Sequence, residues 1–210
     1  MDKSVLTGFV TALNLVGIFV FAISGAVSGI KRKTDIVGVL MLSFAAAACG
    51  GIVRDILIGD VPPENISTWE PLVVSLTAGL LTFFFFPVVD RLNNPVLVFD
   101  AFGLGLFTVT GTSKALAFGI MPVWAVLLGM VTGVGGGMLR DMLVARVPII
   151  MRGEIYATAA LAGGAIVVLG TYIPGLPPEA HMLAGAAVCT GIRLLALRFG
   201  WQLPARNIRR

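Results

Sequence analysis

Gly50-Gly51-Ile52-Val53-Arg54-Asp55 and Gly136-Gly137-Met138-Leu139-Arg140-Asp141 are two copies of one pattern, Gly-Gly-x-x-Arg-Asp, set 86 residues apart. Both sit inside long apolar stretches, where an ionised side chain has no water to solvate it and must find a partner or an aqueous cavity. The register extends in both directions. Gly17 matches Gly103, Phe21 matches Phe107, Gly25 matches Gly111, Val37 matches Val123, Leu57 matches Leu143, and Val61-Pro62 matches Val147-Pro148. Asn14 opposite Asp100 and Ser24 opposite Thr110 add polar residues of similar kind. Weak internal symmetry of this sort is characteristic of transporter-type membrane folds.

The composition agrees. Of 210 residues, 57% are hydrophobic and 12% charged, and the mean hydropathy is +0.97. Soluble domains carry about 25% charged residues. A soluble enzyme, a nucleic-acid binder and a secreted disulfide scaffold are therefore set aside, and the net charge of +4 reflects topology rather than nucleic acid. Cys49 and Cys189 lie within apolar runs and read as small buried hydrophobes. The first run has its cationic cluster, Lys31-Arg32-Lys33, after it and not before it, so it reads as a retained span and not as a cleaved leader.

A helical span needs about 20 apolar residues. The runs 5–30, 36–58, 71–89, 95–119, 120–144, 155–173 and 180–197 meet or approach this, with the long stretch from Pro95 to Val144 divided at Gly119-Ile120-Met121-Pro122, because proline interrupts a helix. The expected fold is an all-α polytopic membrane protein of seven transmembrane helices. Residues 1–89 form a first three-helix repeat and residues 90–173 a second. Residues 174–210 hold a seventh helix and a basic cytoplasmic tail, whose charge reads first as a topology signal and second as a contact for the headgroups of membrane lipids. Three spans per repeat is an odd number, so the second copy enters the membrane from the opposite face, and the two halves are inverted about an axis in the membrane plane.

Orientation follows from the basic residues. One side collects Lys31, Arg32, Lys33, Arg91, Arg146, Arg152, Arg198, Arg206, Arg209 and Arg210. The other has Lys3 with Asp2, Asp60, Glu64, Glu70 and Glu179. The positive-inside rule puts the amino terminus outside and the carboxyl terminus in the cytoplasm of an inner-membrane protein.

Inverted repeats place a polar path at their interface. Gly50 and Gly51 in the second span, and Gly135, Gly136 and Gly137 in the fifth, read as points where the helix loosens and frees carbonyls toward that path. Close helix packing is the competing reading of the same glycines. Arg54 and Asp55, and likewise Arg140 and Asp141, are sequence neighbours that leave a helix in different directions, so each is expected to need a partner on another element. Each arginine could instead snorkel toward an interface. Asp100 and Lys114 share the fourth span about 21 Å apart, too far to pair. Asp100 is expected to attract a cation and Lys114 to modulate its path. Ser28 stands opposite Lys114, so the two mouths are unequal. No metal cluster or nucleophile accompanies the single His181, and an enzyme is not expected. The run Phe83-Phe84-Phe85-Phe86 points all round a helix, toward lipid or a neighbouring subunit.

Two triple-span repeats carrying Gly-Gly-x-x-Arg-Asp, followed by a lone seventh helix, resemble the prokaryotic trimeric intracellular cation (TRIC) channels, a family also labelled a bacterial glycine-transporter domain. The resemblance covers essentially the whole chain. It implies a homotrimer in which each subunit has its own pore for monovalent cations, chiefly potassium, with K⁺ or Na⁺ as permeant ion and no cofactor. It also implies that the pore lies between the repeats and is lined by the kinked second and fifth helices at Gly50, Gly51, Arg54, Asp55, Gly135, Gly136, Gly137, Arg140 and Asp141. The Lys-Glu-Val stretch of animal members is absent, so phosphoinositide or calcium gating does not carry over. A secondary transporter of a small solute such as glycine is the alternative that the inverted repeats accommodate equally well.

Overall fold

The structure, a computed structural model, describes residues 3–92, 94–152 and 155–202. Asp2 of the expected outer charge set, and Arg206, Arg209 and Arg210 of the inner set, lie outside the described residues. The described chain is helical: α1 Lys3–Lys31, α2 Ile36–Ile58, α3 Glu64–Ser67, α4 Glu70–Phe84, α5 Phe86–Val89, α6 Pro95–Ala117, α7 Pro122–Leu143, α8 Ala157–Gly170 and α9 Pro178–Phe199. Prolines open α6, α7 and α9, where the missing amide costs no hydrogen bond and the fixed φ suits the first turn. The division at Gly119 is as expected: α6 stops at Ala117, Gly119 turns with φ +76°, and α7 starts at Pro122.

Among the described residues five helices, Leu6–Lys31 of α1 together with α2, α6, α7 and α9, are long and apolar enough to cross a membrane. The expected third and sixth spans are shorter than the apolar runs suggested. α4 has 15 residues and α8 has 14, or about 21–23 Å of helix against a hydrocarbon layer of about 30 Å. The phenylalanine run does not continue one helix. Pro87 cannot donate to a carbonyl one turn back, so α4 ends at Phe84, and Phe86 opens the short α5. Phe84 and Phe85 are exposed.

Burial is the reverse of a water-soluble protein. Met41, Leu57, Phe84, Val123 and Trp124 are more than half exposed, whereas Arg54, Asp55, Asp100, Arg140 and Arg193 are buried. Only a surrounding solvent more apolar than the interior makes such an arrangement favourable, because charges leave water at a cost and apolar side chains leave lipid at no gain. The chain is a multi-pass membrane protein.

Positions 86 apart make reciprocal contacts at the centre. The Phe21 and Phe107 rings lie 5.1 Å apart between centroids, and each fills the space over the other half's glycine, Phe21 over Gly103 and Phe107 over Gly17. A Cβ on Gly50 would overlap the Thr132 carbonyl of α7, and one on Gly136 would overlap the Ala46 carbonyl of α2. Gly135 meets the Gly50 backbone at the same crossing.

Both helices run without interruption through these glycines. The expected loosening is thus corrected, and close packing is what the glycines provide. Losing a side chain costs about 1 kcal/mol of helix propensity, but it lets two backbones touch, and that contact offsets the cost where lipid supplies no hydrophobic drive.

The carboxyl ends of α2 and α7 also match. Asp60 donates its amide to the Asp55 carbonyl at 2.9 Å, and Arg146 donates to Asp141 at 2.8 Å. The left-handed residue is Gly59 in one case and Ala145, φ +51°, in the other. α4 and α8 likewise occupy corresponding places in the two halves.

Candidate functional site: two buried ion clusters

Arg54 and Arg140 each lie one turn beyond the glycine crossing, near the carboxyl ends of α2 and α7, and because those helices pack against each other the two arginines fall on opposite sides of the crossing. The buried charges therefore gather in two groups.

The first group centres on Asp55. Its Oδ1 accepts from Arg54 Nε at 2.8 Å and from Lys114 Nζ at 2.9 Å, and its Oδ2 accepts the Glu64 amide at 3.0 Å. Lys114 Nζ also reaches Asp60 at 2.7 Å and Glu64 at 3.1 Å. The α3 residue Asn65 closes this group from the side. Its Nδ2 donates to the Ala48 carbonyl at 3.1 Å and occupies the place where a Gly51 Cβ would stand.

The second group centres on Arg140. Nη1 donates to Asp100 Oδ1 and to the Ser24 hydroxyl, both at 2.6 Å, while Nε and Nη2 hold Asp141 Oδ1 at 3.0 and 2.8 Å. Asp141 Oδ2 accepts the Ile149 amide at 3.1 Å. Ser24 passes the network to α6 through the Val96 carbonyl at 3.0 Å. Around Gly137 the position of a Cβ is taken by Asp100 Oδ1 and the Tyr156 hydroxyl. A cavity of about 280 Å³ ends on Arg140 and Asp141, with Lys31, Arg146 and Arg152 along its wall.

Two expectations are corrected. Adjacent arginine and aspartate do pair in both motifs, because the guanidinium reaches back along its own helix to the next carboxylate, a distance that Cβ directions alone do not capture. Neither arginine snorkels: Arg54 is 2% exposed and Arg140 0%. Asp100 and Lys114 belong to separate groups, as their spacing on α6 required.

Asn14 and Thr110 are buried on α1 and α6, but among the described residues no hydrogen bond or ion pair joins either to a cluster. Thr110 donates back to Leu106 at 3.0 Å. Asn65 and Tyr156 were not legible in advance. Asn65 sits in the short α3 and Tyr156 at the start of the sixth apolar run, where neither is conspicuous by charge, and only chain return brings each over a motif glycine.

Fold and site together define an all-helical, multi-pass membrane protein with a glycine-packed internal seam and a buried ion cluster on each side of it. A family model described as "Glycine transporter" matches residues 6–87 and 97–172. The chain belongs to this family, which is the prokaryotic TRIC channel family that the paired motifs resemble. The UPF0126 inner membrane protein YadS of Escherichia coli is 38% identical over 193 residues, covering 91% of this chain and 93% of its own. The TRIC trimeric intracellular cation channel orthologue from Rhodobacter sphaeroides superimposes with a TM-score of 0.86 at 34% identity, over 91% of this chain and 98% of its own. A structure describing conductance through TRIC cation channels gives 0.85 at 34% identity, over 95% and 98%.

Proposed function

We propose that the protein is a passive monovalent-cation channel, permeable to potassium, whose path runs inside each subunit along the seam between α1–α2 and α6–α7. The observation that carries this reading is the charge balance of the two buried clusters. Arg54 and Lys114 face three carboxylates, those of Asp55, Asp60 and Glu64; Arg140 faces two, those of Asp100 and Asp141. In the inner set all three groups are buried and the carboxylates outnumber the cation, so a desolvated positive ion is favoured over a negative one there; in the outer set the surplus comes from Asp60 and Glu64, which are part-exposed at its mouth. The basic residues on the cavity wall, Lys31, Arg146 and Arg152, are solvent-exposed and screened within about 8–10 Å, and act far less on an ion inside. The likeness to TRIC cation channels over nearly the full chain supports the same class.

In this reading the chain comprises two inverted three-helix units, 1–89 and 90–173, with residues 174–210 as a seventh span and tail. The reciprocal Gly50/Thr132 and Gly136/Ala46 contacts and the correspondence of α4 with α8 support it. The amino terminus is outside and the carboxyl terminus cytoplasmic. That Lys31, Arg146 and Arg152 share one cavity, and Lys31 pairs with Asp90 at 2.9 Å, agrees with a single basic face. The assembly is a homotrimer by likeness to the trimeric neighbour, with the ion itself as the only ligand and no resident cofactor. Gly50, Gly51, Gly135, Gly136 and Gly137 form the closed wall of the path. The pairs Arg54–Asp55 and Arg140–Asp141, with Asp100 and Lys114, form its charged ends. Asn14, Ser24 and Thr110 supply further polar groups toward it.

Reconstitution into planar bilayers under a KCl gradient, with glycine uptake into liposomes measured from the same preparation, tests the reading. Discrete current steps reversing near the potassium equilibrium potential are expected. Saturable glycine uptake without such steps would replace the channel by a carrier.

A further inference from the structure

Tyr156 is fully buried where α8 begins, and its hydroxyl converges with Asp100 Oδ1 on the Gly137 Cα, the two oxygens lying 2.8 and 2.7 Å from the point a Cβ there would occupy. Among the described residues, no hydrogen-bond partner reaches the Tyr156 hydroxyl or Asp100 Oδ2. A phenol with a proton to give and a carboxylate able to accept it are thus brought to the same buried spot over Gly137, while Oδ1 of that carboxylate is held by Arg140 at 2.6 Å. The ring is fixed from its other side. Arg193 of α9 stacks over it with Cζ 5.1 Å from the centroid and donates Nη1 to the Ile155 carbonyl at 3.3 Å. The helix that stands outside the repeats therefore sets the position of the phenol.

We propose that Tyr156, oriented by Arg193, is the positioning residue of the inner cluster: it donates to Asp100 when Arg140 withdraws, so the inner ion pair opens without leaving a bare buried carboxylate. The inference rests on the channel reading above and adds to it that an ion passes the inner cluster only when Arg140 and Asp100 separate. A buried charge stripped of its only partner is strongly disfavoured, and a hydroxyl donor already in place removes much of that penalty. Arg193 acts through Tyr156, by stacking on its ring.

The direction of effect separates this role from simple bracing. Tyr156→Phe keeps the ring for Arg193 and the packing, and removes only the donor. If Tyr156 lowers the cost of opening, the variant opens several-fold less often at unchanged unitary conductance. Adding Asp100→Asn, which removes the charge that needed a donor, restores the openings. Arg193→Lys, which keeps the charge but loses the stack, shows the same fall in smaller measure. If Tyr156 only braced the closed state, Tyr156→Phe would open more often and Asp100→Asn would not rescue it.

The same variants are compared by hydrogen exchange of the 137–143 amides in detergent, which reports local opening without any flux. Exchange slows in Tyr156→Phe and recovers in the double variant. Unchanged or faster exchange in Tyr156→Phe overturns the inference whatever the currents show. Absence of potassium current in the wild-type protein overturns the channel reading instead, and the exchange result still decides the role of Tyr156.

Discussion

Gly50 and Gly136 bear on each other's helices in the same way: each presses against the carbonyl of the residue four before its counterpart, Gly50 on Thr132 and Gly136 on Ala46. The contact needs both glycines, since the backbone opposite cannot move aside as a flexible side chain would.

Gly50→Ala and Gly136→Ala are each expected to destabilise the protein by about 1–3 kcal/mol, the usual range for overpacking a close contact. The two losses should be similar, because the contacts are reciprocal. Thermal unfolding of the detergent-solubilised variants measures this; a glycine whose replacement left the transition unmoved would not be at a tight crossing.

Arg140→Ala removes the one cation that, among the described residues, is in direct ion contact with Asp100. Breaking a buried pair in this way typically costs about 3–5 kcal/mol. Arg140→Met combined with Asp100→Asn leaves less charge stranded and should be the milder change. A double-mutant cycle on unfolding midpoints checks the coupling, and additive losses would mean that the two groups act independently.

Lys114→Met leaves three carboxylates, Asp55, Asp60 and Glu64, without the ammonium that gathers them. Potassium conductance at about 0.1 M salt should rise, and the difference should shrink toward 1 M as the screening length falls from about 10 to about 3 Å. Single-channel recordings at the two concentrations provide the comparison. A salt-independent change would point to a steric effect of the side chain.

Ala145 holds a left-handed φ of +51° where the first half has Gly59. An L-residue in that region costs about 1–2 kcal/mol, part of which glycine returns as unfolded-state entropy. Ala145→Gly should therefore stabilise the protein by about 0.5–1 kcal/mol, read as a raised unfolding temperature. Gly59→Ala should do the reverse.

Sequence alone determined the membrane character, the helix boundaries at proline and glycine, and the two-fold pattern of the halves, because each depends on local chemistry: runs without charge, residues that cannot continue a helix, and identities at constant offset. It also singled out Arg54, Asp55, Asp100, Lys114, Arg140 and Asp141, since an ionised group in an apolar run is conspicuous whatever its partner. It did not determine the partners. Whether the glycines loosen a helix or let two helices touch depends on what lies opposite, and Thr132 and Ala46 are opposite only after the halves meet. Pairing of Arg54 with Asp55 depends on a long side chain folding back, and the recruitment of Asn65 and Tyr156 depends on where two connections return. These are distances across the fold, set by how backbones close on one another, and no spacing along the chain encodes them.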